Sequence, residues 1–325
     1  MKTNLKKTIN TLVSLLVGVL LFWYVYSKMD FSSIVENLKN IHYFPLFLSI
    51  VLAGISYYIR GKRWKRLIVP LNEETPTDFS MTMAMMVGNF ANLIIPRAGE
   101  IARCGYLSKY HKVTFSKLIG TMIAERLTDL LCIIIISITT IALEWNTFST
   151  FFTQNQSSTS FIDRLSSPWV WGSILVAIIL IVLFIVFYNK IKNTLLNMWN
   201  GVKTIFELKD KWKFLGESVL IWMLFFGLFH VCIYAFDFSS NLTIGESLTL
   251  FVLGCLGILA PVQGGVGPWH YMVIFGLTFL GYAETDAGAF ALVVHGVQMI
   301  AYIIFGILAL ILSPIVNKQK VENNE

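Results

Sequence analysis

The chain has 325 residues, of which 56% are hydrophobic and only 14% are charged, with a mean hydropathy of +0.68. Ordinary soluble domains carry about 25% charged residues, so a soluble globular protein is excluded, and the lack of alternating strand patterns excludes an outer-membrane barrel. The net charge of +6 does not point to nucleic acid, because Lys and Arg cluster beside apolar runs, as the positive-inside rule expects.

Lys2, Lys6 and Lys7 precede an apolar run that ends at Tyr26 without a small-residue cleavage signal. Residues 8–26 therefore read as an uncleaved first span with its N-terminus in the cytoplasm. Phe31, Ile34, Val35 and Leu38 keep helical spacing and predict a short helix on the outer surface. A second span, 43–59, runs into Arg60, Lys62, Arg63, Lys65 and Arg66. That basic run reads as a cytoplasmic anchor that touches lipid phosphates.

The stretch from Met81 to Asp129 is different. It begins as apolar as a membrane helix and then places Pro96, Arg97, Gly99, Glu100 and Arg103 where it should leave the bilayer. A plain crossing would put Arg97, Arg103, Lys109, Lys112 and Lys117 outside, against the charge rule. A re-entrant hairpin over about 79–112 resolves the conflict. Pro96 removes an amide donor and ends the first half, and Gly99 permits the turn. Asn89 and Asn92, three apart, put amide groups on one face of that half and are read as substrate-binding candidates.

A span at 118–143 follows, carrying Glu125, Arg126 and Asp129. At 1.5 Å per residue, Glu125 and Asp129 lie roughly 10–20 Å beyond Lys117, within the ~30 Å hydrocarbon layer. Arg126 reaches Asp129 at i+3. Ionisable groups at that depth cost about 2.5–3.5 kcal/mol each on insertion scales and face a protein interior or a wet cavity. Arg97, Glu100, Arg103, Glu125, Arg126 and Asp129 thus predict a polar site inside the bilayer.

After a polar outer loop come spans at 168–188 and 214–236, separated by a basic loop in which residues 191–205 predict a surface helix. His230, alone on an apolar helix, reads as a hydrogen-bonded core residue. Residues 247–280 form a second predicted re-entrant hairpin, interrupted at Pro261, Gly264, Gly265 and Gly267. A last span at 287–312 returns the C-terminus to the cytoplasm. The two interruptions align, Pro96 with Pro261 and Gly99 with Gly264, and paired broken segments are the best sequence pointer to a transporter's midplane site. The four cysteines are far apart and read as small core residues, with no metal site or disulfide framework.

The pattern Pro96-x-x-Gly99-Glu100-x-x-Arg103, with Glu125-Arg126-x-x-Asp129 and Pro261-x-x-Gly264-Gly265-x-Gly267, resembles the flippase-like membrane family that includes the transmembrane domain of lysylphosphatidylglycerol synthases. Many members carry Glu a few residues later, where this chain has His270. The resemblance implies two re-entrant helices facing each other around a lipid-headgroup cavity, and movement of a phospholipid or isoprenoid-linked lipid between leaflets. It implies no aminoacyl transferase here, since that activity belongs to a separate soluble domain and the chain ends at Glu325.

The expectation is an all-α, polytopic membrane protein of the cell membrane, a single transmembrane domain over residues 1–325. Arg97 and Arg103 would hold a phosphate, Glu100, Glu125 and Asp129 would balance them, and Gln263 and His270 would face them from the second hairpin. No P-loop is present and no cofactor is expected. Membrane lipids are the expected partners, with a homo-oligomer or separate partner enzyme left open. An intramembrane lipid-modifying enzyme and a non-catalytic subunit are the alternatives. The first lacks HExxH and GxSxG; the second predicts that charge swaps within the cluster preserve function.

Overall fold

The computed structural model describes residues 2–27, 29–71, 73–145, 149, 207–260 and 262–322. Among them every regular element is a helix. In chain order these are α1 (Lys2–Tyr26), α2 (Phe31–Lys39), α3 (Tyr43–Ile68), α4 (Asp78–Ile94), α5 (Ala98–Tyr110), α6 (Phe115–Leu143), α7 (Lys211–His230), α8 (Ile244–Ile258), α9 (Pro268–Phe279) and α10 (Glu284–Glu322), with short 3-10 turns between some of them. The stretches containing α3, α6, α7 and α10 are long and apolar enough to cross a membrane. The expected span at 168–188, the surface helix around 191–205 and Pro261 lie outside the described residues.

The side chains explain the outward faces. Ile134, Ile135 and Ile138 on α6, and Ile303, Ile304, Ile307 and Ile311 on α10, are exposed. A lipid solvent requires such a face, because lipid tails are as apolar as Leu. Inside, two apolar clusters form. One gathers Phe229, Phe251, Trp269, Phe290 and Val294; the other gathers Tyr57, Trp64, Met81, Met85, Leu107 and Phe214. Helix α10 contributes Phe290 to the first and Ala309 to the second, so it runs past both.

α2 does not lie free on a surface. Ile34 is fully buried in the first cluster, and Asn37 donates from Nδ2 to Asp286 Oδ1 at 2.8 Å, tying α2 to the start of α10. Asp30 caps α2 by accepting from Ser32 N. His230 is a hydrogen-bonded core residue, with Nδ1 2.8 Å from Ser247 Oγ and its ring stacked on Phe226.

Outside the spans, Glu73 ties the loop after α3 to the start of α6. Its carboxylate accepts from Lys117 Nζ at 2.8 Å, from Thr114 N at 2.7 Å and from Thr114 Oγ1 at 2.7 Å. The Lys117 bond first, then those from Thr114, hold its carboxyl down at about 2 from an ordinary 4.5. A depressed carboxylate stabilises the fold above its unfolded pKa and loses that contribution as pH falls through the folded value. The melting-temperature gap between wild type and Glu73→Gln should therefore be open near neutrality and close between pH 4.5 and about 2. A gap that does not change with pH would refute this tether.

Candidate functional site

The first interruption is built as its residues dictate. The residue before a proline is pushed into the extended region, and Ile95 sits at φ −132°, ψ 126°. That ends α4 at Ile94. Arg97 then takes the left-handed turn, at φ 60° and ψ 10°, where a non-glycine residue is uncommon.

The role expected of Gly99 is corrected here. It lies inside α5 and is not among the positive-φ residues. A Cβ there would lie 2.1 Å from Gly88 O and 2.6 Å from Asn92 Nδ2. Gly99 is required because the two half-helices touch backbone to backbone, the close approach that small residues allow in membranes. Asn92 is also reassigned: its Oδ1 accepts from Gly99 N at 2.8 Å, so it locks the hairpin. Asn89 lies half-buried beside Tyr57 of α3.

α5 and α6 deliver the charges expected of them, and α3 delivers two more that were read as an anchor. Helix α3 does not stop at residue 59; it continues through the basic run to Ile68. Arg63 is fully buried, with Nη2 3.1 Å from Glu125 Oε1 and Nη1 2.7 Å from Asp129 Oδ1. It also donates to Ser218 Oγ of α7 at 3.3 Å. Arg103 reaches the other Glu125 oxygen at 2.8 Å and Glu100 at 2.5 Å. Arg126 reaches Glu125 at 3.0 Å, Asp129 at 3.3 Å and Glu100 at 3.5 Å.

Aromatic rings complete the wall. The Arg103 guanidinium lies 4.4 Å from the centre of the Trp64 ring, a cation–π contact. Trp64 Nε1 is fixed by donating to Thr121 Oγ1 at 2.9 Å.

Arg60 stands apart. It lies within electrostatic reach of Arg103, Glu125, Arg126 and Asp129, yet no carboxylate pairs with it among the described residues. Its guanidinium sits 5.8 Å from the Phe225 ring centre. The network thus sets four guanidiniums against three carboxylates. Further donors are unspent: Arg63 Nε and Arg103 Nε are buried without a hydrogen-bond partner. One side of the network is open. The Glu125 and Arg63 side chains have no exposure, whereas Arg126 is 40% exposed, Glu100 25% and Asp129 17%.

Arg97 is not in this network. It is exposed, and its Nη2 donates to Leu259 O at 3.3 Å, so it bridges the tip of the first hairpin to the second. The interruption after α8 carries Gly264, Gly265 and Gly267 at positive φ. These are positions where glycine suffers no Cβ penalty. Gly264 packs near Leu93 and Met299. Gln263 opens the turn, and its carbonyl accepts from Val266 N at 3.1 Å.

His270 is surrounded by rings rather than by arginines. Its Nδ1 accepts from Gly267 N at 3.3 Å, and Phe22, Tyr26, Trp269 and His295 encircle it. Arg60, Arg63 and His295 were the residues that sequence reasoning missed. The only signal for the arginines was their i, i+3 spacing beside Trp64, which a lipid-facing anchor shares.

Among known proteins, the family described as the lysylphosphatidylglycerol synthase TM region matches residues 11–306. No curated protein and no solved structure matches the chain. The matched stretch holds both interrupted hairpins and the whole arginine–carboxylate network, and the chain belongs to the lysylphosphatidylglycerol synthase TM-region family of membrane proteins.

Proposed function

We propose that this protein carries a phosphate-bearing lipid between membrane leaflets, holding the headgroup at the open side of the α3–α5–α6 network. One observation carries the reading: a largely buried ion-pair network of three arginines and three carboxylates, with spare guanidinium donors and the unpaired Arg60 beside it. Such a network repels cations and accepts one anionic group. Guanidinium forks match phosphate oxygens, and charge-assisted bonds of this kind are the strong ones. The family, named for a lipid synthase's membrane region, supports lipid as the cargo.

In this reading the two interrupted hairpins are re-entrant and meet tip to tip through Arg97 and Leu259. The basic end of α3 faces the cytoplasm, with both termini, in the cell membrane. Arg60 lies roughly 12 Å along α3 from Ile68, so a headgroup drawn from the inner leaflet meets it below the surface. No bond of the lipid need break. The best acid–base candidate, Glu125, has its oxygens taken by Arg63, Arg103 and Arg126, which argues against a lipid-modifying enzyme.

The test is lipid mass spectrometry on the purified protein beside Arg60→Gln, with translocation of a labelled lipid measured in vesicles. Arg60 has no carboxylate to orphan, so the variant should fold. One anionic lipid class should be enriched in wild type and fall about tenfold or more in the variant, the equivalent of one charged hydrogen bond. Equal, unselective lipid in both, with equal translocation, would overturn the proposal.

A further inference from the structure

The outer face of α3 changes character towards its end. Val51, Ile55 and Tyr58 stand at i, i+4 and i+7 and are exposed, an apolar face of the kind that meets lipid tails. Lys62, Lys65 and Val69 continue that face by steps of three and four. Arg63, Trp64 and Leu67 occupy the opposite face and are buried.

A cavity of about 280 Å³ lies at this end of α3. Lys62, Lys65 and Arg66 line it from the helix, and Lys209 lines it from the chain just before α7. Its rim is apolar, with Val69 and Pro70 exposed.

The charges around this cavity do not balance. Lys65 Nζ lies 2.7 Å from Asp78 Oδ1. Arg66 grips Glu217 with two bonds of 2.7 Å and reaches Asp210 at 3.3 Å. Lys213 reaches the other Asp210 oxygen at 3.3 Å. Lys62 and Lys209 pair with no carboxylate among the described residues. Lys62 Nζ lies 5.4 Å from the Tyr58 ring centre instead. Lys62, Lys65, Arg66, Lys209 and Lys213 thus face Asp78, Asp210 and Glu217, an excess of two positive charges. Glu207 is close in sequence to Lys209 but does not line the cavity.

We infer that this cavity is a second anion site, on the face of α3 opposite the arginine–carboxylate network, and that it takes the phosphate group of a membrane lipid standing against α3. Lys62 and Lys209 supply one unspent ammonium each, from two different elements. Lysine binds phosphate as a point charge, and basic pockets between membrane helices bind phosphate-bearing head groups. The exposed steps from Tyr58 back to Val51 lie where the tails of such a lipid would run. Because Val69, Pro70 and Lys209 are exposed, the occupant exchanges with the surrounding lipid and does not stay with the purified protein. The site is therefore filled by choosing the bilayer.

The test is amine labelling of the full chain in nanodiscs of phosphatidylcholine, with and without phosphatidate. Lys112 is the internal reference. It is exposed, and its amide donates to Glu74 of the loop after α3, so it stands at the same end of the molecule. A diffuse surface potential acts on both lysines; a bound phosphate shields only Lys62. With phosphatidate, labelling of Lys62 should fall about tenfold relative to Lys112, the worth of one charged hydrogen bond. Equal changes at the two lysines would overturn the site.

Two variants and a soluble probe complete the test. Lys209→Gln orphans no carboxylate among the described residues, so it should fold, and the protection of Lys62 should be largely lost in it. Undiminished protection there would overturn a site built from both elements. Arg60→Gln alters the other anion site and should leave the protection of Lys62 intact, so the failure of this site and of the proposed transport are read separately. Inorganic phosphate added to phosphatidylcholine nanodiscs should protect Lys62 weakly. Protection equal to that given by phosphatidate would keep the phosphate site and overturn the membrane as its source.

Discussion

Glu125→Ala should leave a protein that inserts but does not hold its fold. The carboxylate is fully buried and is the shared acceptor of Arg63, Arg103 and Arg126, at 3.1, 2.8 and 3.0 Å. Its removal leaves four arginines facing two carboxylates. Breaking one partner out of a buried ion pair costs about 3–5 kcal/mol, because an unpaired charge stays buried. Whole domains are stable by only about 5–15 kcal/mol. The expected result is a large fall in melting temperature for purified Glu125→Ala in nanodiscs, with a smaller fall for Glu125→Gln, which keeps an oxygen acceptor but no charge. An unchanged melting temperature in Glu125→Ala would mean that α3, α5 and α6 do not meet through this carboxylate.

This expectation separates architecture from cargo binding. Arg63 and Glu125 have no exposure and pin three helices together, so loss of either removes the site along with the fold. In the proposed reading, Arg60 and Arg126 are the groups that meet the headgroup. A series that is unstable at Glu125 but folded and lipid-free at Arg60 is the pattern that the geometry demands.

The second large effect is expected at Gly99. A methyl group there meets Gly88 O at 2.1 Å, a backbone atom that cannot rotate away. Overpacking a tight contact costs typically about 1–3 kcal/mol, and Gly99→Ala should sit at or above the upper end because α4 and α5 must separate. The separation also stretches the bond from Gly99 N to Asn92 Oδ1. Gly105→Ala in the same helix is the control, since nothing lies within 4 Å of its added methyl. Alanine is the better helix former by about 1 kcal/mol, so the control should be neutral or slightly stabilising. Melting temperatures of the two variants should diverge in opposite directions; matched values would show that the half-helices do not touch.

Much of this protein was determined locally. Apolar run lengths decide that the chain is helical and membrane-borne, because a bilayer admits only segments that satisfy their own backbone. Pro96 ends α4 through the conformation it forces on Ile95, and Gly264, Gly265 and Gly267 mark the second interruption by the φ they adopt. Glu100 with Arg103, and Arg126 with Asp129, are legible because i and i+3 side chains meet on any helix.

The rest depended on which helix faces which. Arg63 belongs to a basic run whose composition is the same whether it anchors at lipid phosphates or turns inward. Only the packing of α3 against α6 buries it on Asp129, sixty-six residues away. Arg97 was assigned to a phosphate, yet its partner is a carbonyl 162 residues distant. His270 was expected to face arginines; the placement of α10 against α9 gave it His295 instead. Gly99 was read from its freedom to turn, while its reason for being glycine is the carbonyl of Gly88 across the hairpin. Periodicity states which residues share a face of one helix. It carries no term for the neighbour that covers that face, and in this protein the neighbour decides which charges are buried in ion pairs and which stand without one.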